Sequence, residues 1–265
     1  MRIIVPIKQV PETNAVKMDD TTGTMIREGV EAIINPLDLY AIEVAIQLRE
    51  QHGGEVAAVS MGPPKAMSAL KEAIAMGIDS AVLLSDKAFA GSDTWATSYV
   101  LAAAIRRMGD YDLIICGERA TDGDTGQVGP GIASFLDLPV ATYVSRVGDV
   151  GDGRCRVHRL VEDGYEVLEM TMPGVLTVVK EVAAPRLPTL RGKQRARRAE
   201  IPTWGPGELA VDADKLGLNG SPTRVVKIFR PSVARQCQKL TAADEQGVGE
   251  AVDLLVEFLR KRQLA

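Results

Sequence analysis

The sequence is short of the residues that build metal sites and covalent frameworks. Its 265 residues include three cysteines, Cys116, Cys155 and Cys237. No two of them form a C-x-x-C pair, which argues against a disulfide framework, a zinc site or an iron–sulfur cluster. A reducing compartment, by default the cytoplasm, is therefore expected. The two histidines, His52 and His158, lie far apart in the chain. Long apolar runs are missing as well. Hydrophobic residues make up 46 % of the chain, in stretches well below the ~20 residues that a membrane span needs. The opening Met1-Arg2-Ile3-Ile4-Val5-Pro6 reads straight into a strand and lacks a signal-peptide layout. A net charge of −4 gives no global attraction to nucleic acid. Two phosphate-binding fingerprints, G-x-G-x-x-G and G-x-x-x-x-G-K-[ST], are absent. The first strand instead ends in Pro6-Ile7-Lys8-Gln9, with no glycine turn.

What is present is a four-fold alternation of strand and helix. Strands are expected at residues 2–8, 55–61, 80–85 and 111–116, each a short apolar run of the kind buried in a parallel sheet. Helices are expected between them. The first starts at Asn35-Pro36, with Asn as N-cap and Pro at the first helical position, and ends at Gly53-Gly54. The second covers about 65–76, and the third follows the Gly91-Ser92-Asp93-Thr94 loop to about Met108. Short connections between alternating elements imply an α/β fold with a doubly wound, mostly parallel sheet. Val16–Asp19 and Thr24–Arg27 flank Asp20-Thr21-Thr22-Gly23 and suggest a small hairpin. Residues 157–161 and 165–170 read as paired strands around Asp163-Gly164, and 175–179 as one more strand. From Pro185 the chain becomes proline-spaced and basic, with too little periodicity to make a core of its own. The expected division is an α/β domain over 1–185 and an extended, partner-docking arm over 186–265. The arm ends in an amphipathic helix over about 242–261, with Val248, Val252, Leu255, Val256 and Leu259 on one face.

One stretch concentrates the chemistry. Cys116 to Pro130, CGERATDGDTGQVGP, joins the fourth strand to a helix expected from Gly131 and carries four glycines, Gly117, Gly123, Gly126 and Gly129. Such a crossing turns backbone N–H groups toward an anion at a helix N-terminus. In an open α/β sheet, ligands lie beyond the carboxyl ends of the strands near the point where the strand order reverses. Thr125, Gln127 and the Val128 and Gly129 amides suit phosphate oxygens. Asp122 and Asp124 would repel a phosphate, so one of them is expected to face away, into a ribose hydroxyl or backbone amides, and Asp124 reads equally as a cap on the following helix. Cys116 reads as a small buried residue with no histidine base near it in sequence. Trp95 and Trp204 read either as stacking platforms or as core and interface residues, and Met61 either as packing or as a soft lining for a ring.

At these residues the chain resembles the small (beta) subunit of electron-transfer flavoproteins. Landmarks over most of its length carry the resemblance: Lys8-Gln9-Val10-Pro11, Gly23–Gly29, Asn35-Pro36, Met61-Gly62-Pro63, Ala75-Met76-Gly77 and, most specific, Asp122–Pro130. It implies an adenine-nucleotide-binding α/β domain and pairing with an alpha subunit. Conventional members hold a structural AMP here, with a loop reading D-D-D-x-N-Q-T-G. Electron-bifurcating members read D-G-D-T-x-Q-V-G-P and hold a second FAD. NADH reduces that flavin, one electron passes to ferredoxin or flavodoxin, and the other passes through the alpha-subunit FAD to an acyl-CoA-type or other flavin dehydrogenase. This chain follows the second pattern, with Gly123 removing a side chain and a charge where a larger, doubly phosphorylated ligand must fit.

Carried over by position, the resemblance implies nucleotide contacts at Pro6, Asn35, Asp38, Met61 and Gly117 and at Asp122, Gly123, Asp124, Thr125, Gly126, Gln127 and Val128. It places Asp93, Thr94 and Thr97 near the flavin or its diphosphate, although each also reads as part of a helix N-cap. The chain departs from the pattern at Arg119, where glutamine is usual and where the guanidinium would reach either a flavin or phosphate oxygen or solvent. It departs again at Thr121, where isoleucine is usual. Pro185–Leu190 resembles the loop that grips the dehydrogenase, with Leu190 as anchor and Arg191 opening a basic rim. The basic run 191–198 also reads as a solvated face. It is too short, and too poor in aromatics, to suggest nucleic acid.

Overall fold

A computed structural model describes residues 1–12, 17–18, 25–26, 32–226, 239–241 and 243–264. Strands β1 (Arg2–Pro6), β2 (Gln9–Pro11), β3 (Lys17–Met18), β4 (Met25–Ile26) and β5 (Ala32–Ile34) precede helix α1 (Asp38–His52). Then come β6 (Glu55–Met61), α2 (Met67–Met76), β7 (Ser80–Leu84), α3 (Thr94–Met108), β8 (Leu113–Gly117) and α4 (Val128–Leu136). Strands β9 (Val140–Gly151), β10 (Arg154–Val161), β11 (Gly164–Thr171) and β12 (Gly174–Val178) follow. After them lie α5 (Leu190–Arg198), β13 (Thr203–Trp204), α6 (Pro206–Leu209), α7 (Gly217–Gly220) and α8 (Glu245–Lys261).

Nine strands form one sheet in the order β11-β10-β9-β12-β8-β1-β6-β7-β13. From β9 to β13 the pairs are parallel, and β10 and β11 continue as an antiparallel edge. The chain leaves β1 toward β6 and β7, then returns to β8 on the other side of β1. The order therefore reverses at β1, and a crevice opens between the loops that leave β1 and β8. Alternate residues of the central strands face opposite layers. Ile3 and Val5 of β1 and Leu113 and Ile115 of β8 join the core under α1 and α2. Ile4, Ile114 and Cys116 join the core under α3 and α4. The sheet is buried on both faces, which is why these strands are uniformly apolar.

Three expectations change. Asn35 does not cap α1: the helix begins at Asp38, and the Asn35 backbone carbonyl accepts from Asp38 N in a preceding turn. The hairpin exists as β3 paired with β4, while its expected turn at 20–23 lies outside the described residues, as do Gly23, Gly29 and Cys237. The 12-residue β9 has no counterpart in the sequence reading. Residues 186–226 are no coreless arm, and the compact body runs over Met1–Lys227, with Ile228–Ala265 as a second unit. Thr189 caps α5 by accepting from Gly192 N at 2.9 Å, and Ala196 of α5 is buried in the core beside α2. Pro202 and Trp204 carbonyls accept from Leu83 and Ser85 N, so β13 extends the sheet. In the second unit, Asp244 caps α8 by accepting from Gly247 N at 2.8 Å. Among the described residues, no helix is long and apolar enough to cross a membrane.

Arg186 fastens the start of this segment to α1. Its guanidinium Nε and backbone N donate to Glu43 Oε2 at 2.8 and 3.0 Å, and Nη1 donates to Glu50 Oε1 at 2.6 Å. Burial alone would raise the Glu43 carboxyl, but the Arg186 hydrogen bonds outweigh it and hold the group below its ordinary range. Next to this anchor, Leu187 is 85 % and Leu190 82 % exposed.

Candidate functional site

A cavity of ≈ 900 Å³ opens in the crevice at the carboxyl ends of β1, β6, β7 and β8. Fourteen of the expected nucleotide contacts line it: Pro6, Asn35, Asp38, Met61, Asp93, Thr94, Thr97, Gly117, Arg119, Gly123, Thr125, Gly126, Gln127 and Val128. Asp122 and Asp124 do not. Asp122 Oδ1 pairs with Lys8 Nζ at 2.7 Å, and Asp124 Oδ1 pairs with Arg119 Nη1 at 2.9 Å. Asp124 also fails as a helix cap, because α4 starts four residues later, with Gln127 at the N-cap and no side-chain cap bond. Asp124 sits instead in a turn, at φ 53°, its N–H donating to Ala120 O at 2.8 Å. Both carboxylates thus face away from the cavity, and cations hold them there.

The glycines of the crossing separate by cause. A Cβ at Gly117 would meet Asp38 Oδ1 at 2.4 Å, and one at Gly129 would meet Thr177 Cγ2 at 2.4 Å. Those two are set by packing of loop on helix and of helix on strand. Gly126 has φ +64°, which L side chains rarely adopt. Gly123 has neither reason: nothing lies within 4 Å of its Cβ position, and its φ lies outside the left-handed range. The fold does not require glycine there, and the cavity beside it stays open.

Asp38 and Asn35 tie three loops together. Asp38 Oδ2 accepts from Lys8 N at 2.7 Å, and Oδ1 accepts from Asn35 Nδ2 at 2.9 Å. The Asn35 amide also donates to Arg119 O at 2.9 Å and accepts from Thr121 N at 3.1 Å. Thr121 thus enters the site through its backbone. Burial pushes the Asp38 carboxyl up to about 7, against the lowering pull of the Asn35 and Lys8 hydrogen bonds. With the folded value above the unfolded one, the native state holds a proton that the unfolded chain releases. Stability is therefore lost as pH rises from about 4 to about 7. Asp38→Asn removes this slope. Compared by urea unfolding, the variant should gain on the parent by a few kcal/mol in going from pH 5 to pH 8. A difference that does not change with pH would rule out the titration.

The opposite wall belongs to the start of α3. Asp93 caps the helix, its Oδ1 accepting from Ala96 N at 3.0 Å while Oδ2 accepts from Thr223 N and Oγ1 at 2.9 and 2.8 Å. Burial opposes ionisation of Asp93, yet these hydrogen bonds keep the carboxyl below its usual range. The group is fully engaged and fastens residues 221–223. Thr94 Oγ1 donates to Gln127 Oε1 at 2.7 Å, which joins the starts of α3 and α4 across the cavity. Two helix N-termini therefore converge on one space, where their partial positive charge favours an anion. Cys116 lines the cavity but is buried, and burial drives its thiol far above its ordinary value, so it is not a nucleophile. The tryptophans are placed elsewhere. Trp95 packs edge-on against Phe135, and Trp204 lies in β13 under the Arg107 guanidinium, 4.9 Å from its ring. Met61 does line the cavity. Lys8, read in the sequence as part of the Lys8–Pro11 landmark but given no contact there, also lines the cavity and pairs with Asp122.

Leu190 and Arg191 do not line this crevice. Leu190 opens α5 and is exposed, and Arg191 borders a smaller basic hollow with Arg195 and Arg198. Among the described residues, no cluster of histidine, cysteine and carboxylate side chains could hold a metal ion.

Comparison with known proteins agrees with this architecture. Residues 22–209 match the family model described as electron transfer flavoprotein domain. The chain is 48 % identical over 265 residues, the whole of both chains, to the electron transfer flavoprotein subunit beta of Thermoanaerobacterium thermosaccharolyticum. It is 44 % identical over 265 residues, again the whole of both, to the caffeyl-CoA reductase-Etf complex subunit CarD of Acetobacterium woodii. It is 41 % identical to protein FixA of Azorhizobium caulinodans, covering 99 % of this chain and 95 % of that one.

Proposed function

We propose, for a chain that belongs to the electron transfer flavoprotein family as a beta subunit, that the cavity holds FAD and that NADH is oxidised at this flavin. In this reading the chain pairs with an alpha subunit in the cytoplasm. Electrons divide between ferredoxin or flavodoxin and, through the alpha-subunit FAD, a flavin dehydrogenase of the acyl-CoA type or another class. That a relative is named as part of a caffeyl-CoA reductase complex is in keeping with such a partner.

The observation that carries the reading is Gly123. The fold has no need of glycine at that position, and the space beside it is open. A ligand larger than a nucleoside monophosphate gives the missing side chain a reason. Two helix starts at one cavity also suit two phosphates better than one. The residues present fit the group: Gln127, Thr125 and the first amides of α4 would take phosphate oxygens, and Met61 would line a ring. When bound, the flavin supplies the redox chemistry, accepting hydride and releasing electrons singly. The chain's own work is to bind, orient and exclude water. Asp38 and Asn35 fix the loops, and the acids of the 122–124 turn are kept off the phosphates.

The alternative is a conventional subunit with structural AMP, acting only as a docking module. Anaerobic addition of NADH to the purified complex separates the two. The proposal expects the visible absorbance of the oxidised flavin to bleach at stoichiometric NADH, a readout that rests on the flavin's own chemistry. No bleaching at excess NADH would favour the structural role.

A further inference from the structure

We infer that Lys8 and Arg119 form a two-cation clasp for the diphosphate of the bound dinucleotide, aimed by Asp122 and Asp124. The inference rests on the nucleotide reading of the cavity and adds which side chains read its charge. Both cations line the cavity; Asp122 and Asp124, which pair with them, do not, while Glu118, a third partner that approaches Arg119, does. Lys8 leaves the carboxyl end of β1, the central strand, and its Nζ meets Asp122 Oδ1 at 2.7 Å. Arg119 sits at the base of the crossing, with Nη1 2.9 Å from Asp124 Oδ1 and Nε 3.3 Å from Glu118 Oε1. Gly123 lies between the two acids and borders the open space itself. The turn therefore presents a gap flanked by cations, with its negative charges on the far side.

The backbone holds this arrangement. Lys8 N donates to Asp38, and Arg119 O accepts from Asn35, so each cation starts from a fixed main-chain position. The carboxylates in the cavity wall are engaged in other bonds. Asp38 accepts from Lys8 and Asn35, Asp93 from Ala96 and Thr223, Asp86 from Ala88, and Glu118 pairs with Arg119. Lys8 and Arg119 are 47 % and 49 % exposed in their side chains. They keep donors free to turn toward an anion while one edge of each is held, since Lys carries three donors and Arg five. A guanidinium and an ammonium on either side of a diphosphate provide charge-assisted hydrogen bonds to both phosphates.

The test measures equilibrium binding of FAD, ADP, AMP and riboflavin to the nucleotide-stripped complex, with folding followed by circular dichroism. Lys8→Met and Arg119→Met should each weaken FAD and ADP roughly 10- to 100-fold. AMP should weaken less, and riboflavin, which has no phosphate, should be unchanged. Asp122→Asn and Asp124→Asn carry the sharper readout. If the acids aim the cations, these variants weaken FAD a few-fold, even though each removes a negative charge. Tighter FAD binding in both would mean that the acids merely oppose the ligand, and it would overturn the clasp. Parental FAD and ADP affinity in both methionine variants would overturn it as well. A parent complex that binds none of FAD, ADP and AMP would instead sink the nucleotide reading of the cavity.

Discussion

Gly123→Asp is expected to strip flavin from this subunit and abolish NADH oxidation while leaving the protein folded. The new side chain would enter space in which nothing lies within 4 Å of the Cβ position, so it meets no packing conflict. The backbone there is not in the left-handed region, so no strain is added. Substitutions of that kind shift stability by less than about 0.5 kcal/mol, and the nucleotide-free protein should unfold at the parental temperature. The ligand-bound state differs, because a third carboxylate of the turn would stand on its cavity side, where it repels the phosphates and competes with them for Lys8 and Arg119. At a separation of ~4 Å and an effective dielectric of ~20, one such charge opposes another by about 4 kcal/mol. FAD affinity should therefore fall by a factor on the order of 100 to 1,000. Gly123→Ala, which adds volume without charge, should lose much less. Full flavin retention and parental NADH turnover in the aspartate variant would contradict the role given to this glycine.

Arg186→Met is expected to cost about 3 kcal/mol of stability and to loosen the exposed loop that follows it. Glu43 is 4 % exposed in its side chain and shares the Arg186 guanidinium with Glu50. Removing the cation strands a buried carboxylate, and breaking a buried pair in this way typically costs ~3–5 kcal/mol. Arg186 is one-third exposed, at 32 %, so the lower end applies. For a domain of this size that is a fall of roughly 6–12 °C in the thermal midpoint. The pH dependence gives the sign. Glu43 and Glu50 are both held below 4.5 in the native protein. Their stabilisation is present above that value and is lost as pH falls through the lowered native values. The gap between parent and variant should therefore be wide at pH 7 and narrow below pH 4.5. A second replacement, Glu43→Gln, should restore part of the loss by removing the stranded charge. Leu187 and Leu190 lie just beyond the anchor; if that loop grips a partner dehydrogenase, as the resemblance implies, the same variant should raise the KM for it. A variant as stable as its parent at pH 7 would show that Glu43 is neutralised in some other way.

The sequence disclosed the central sheet because its strands are buried on both faces. Ile3, Ile4 and Val5, or Leu113, Ile114 and Ile115, leave no other reading. The crossing at 116–130 was legible for the same reason, since glycines between an apolar strand and a helix have few uses. Other features depend on partners distant in sequence. Asn35 carries a strong local capping signal, yet its side chain is taken by Asp38 and by Arg119, 84 residues away. Asp124 looked like a cap until α4 proved to start at Val128. Strand β9 was hidden by the polar residues Ser145, Arg146 and Asp149, and by register shifts against both of its neighbours. Helix α5 was hidden by its own charge. Arg195 looks like a solvated residue, but its guanidinium donates to the Ile74 and Ile78 carbonyls at the end of α2. Lys8 stood in a landmark segment, but its role depends on Asp122, 114 residues away, which only the fold brings to it.

A count decides which nucleotide the crevice holds. The assembled complex, purified without added nucleotide, should be denatured, and the released ligands identified by mass and counted against protein. Two FAD per heterodimer and no AMP is the expected result. One FAD and one AMP would contradict the account and return this chain to a structural role.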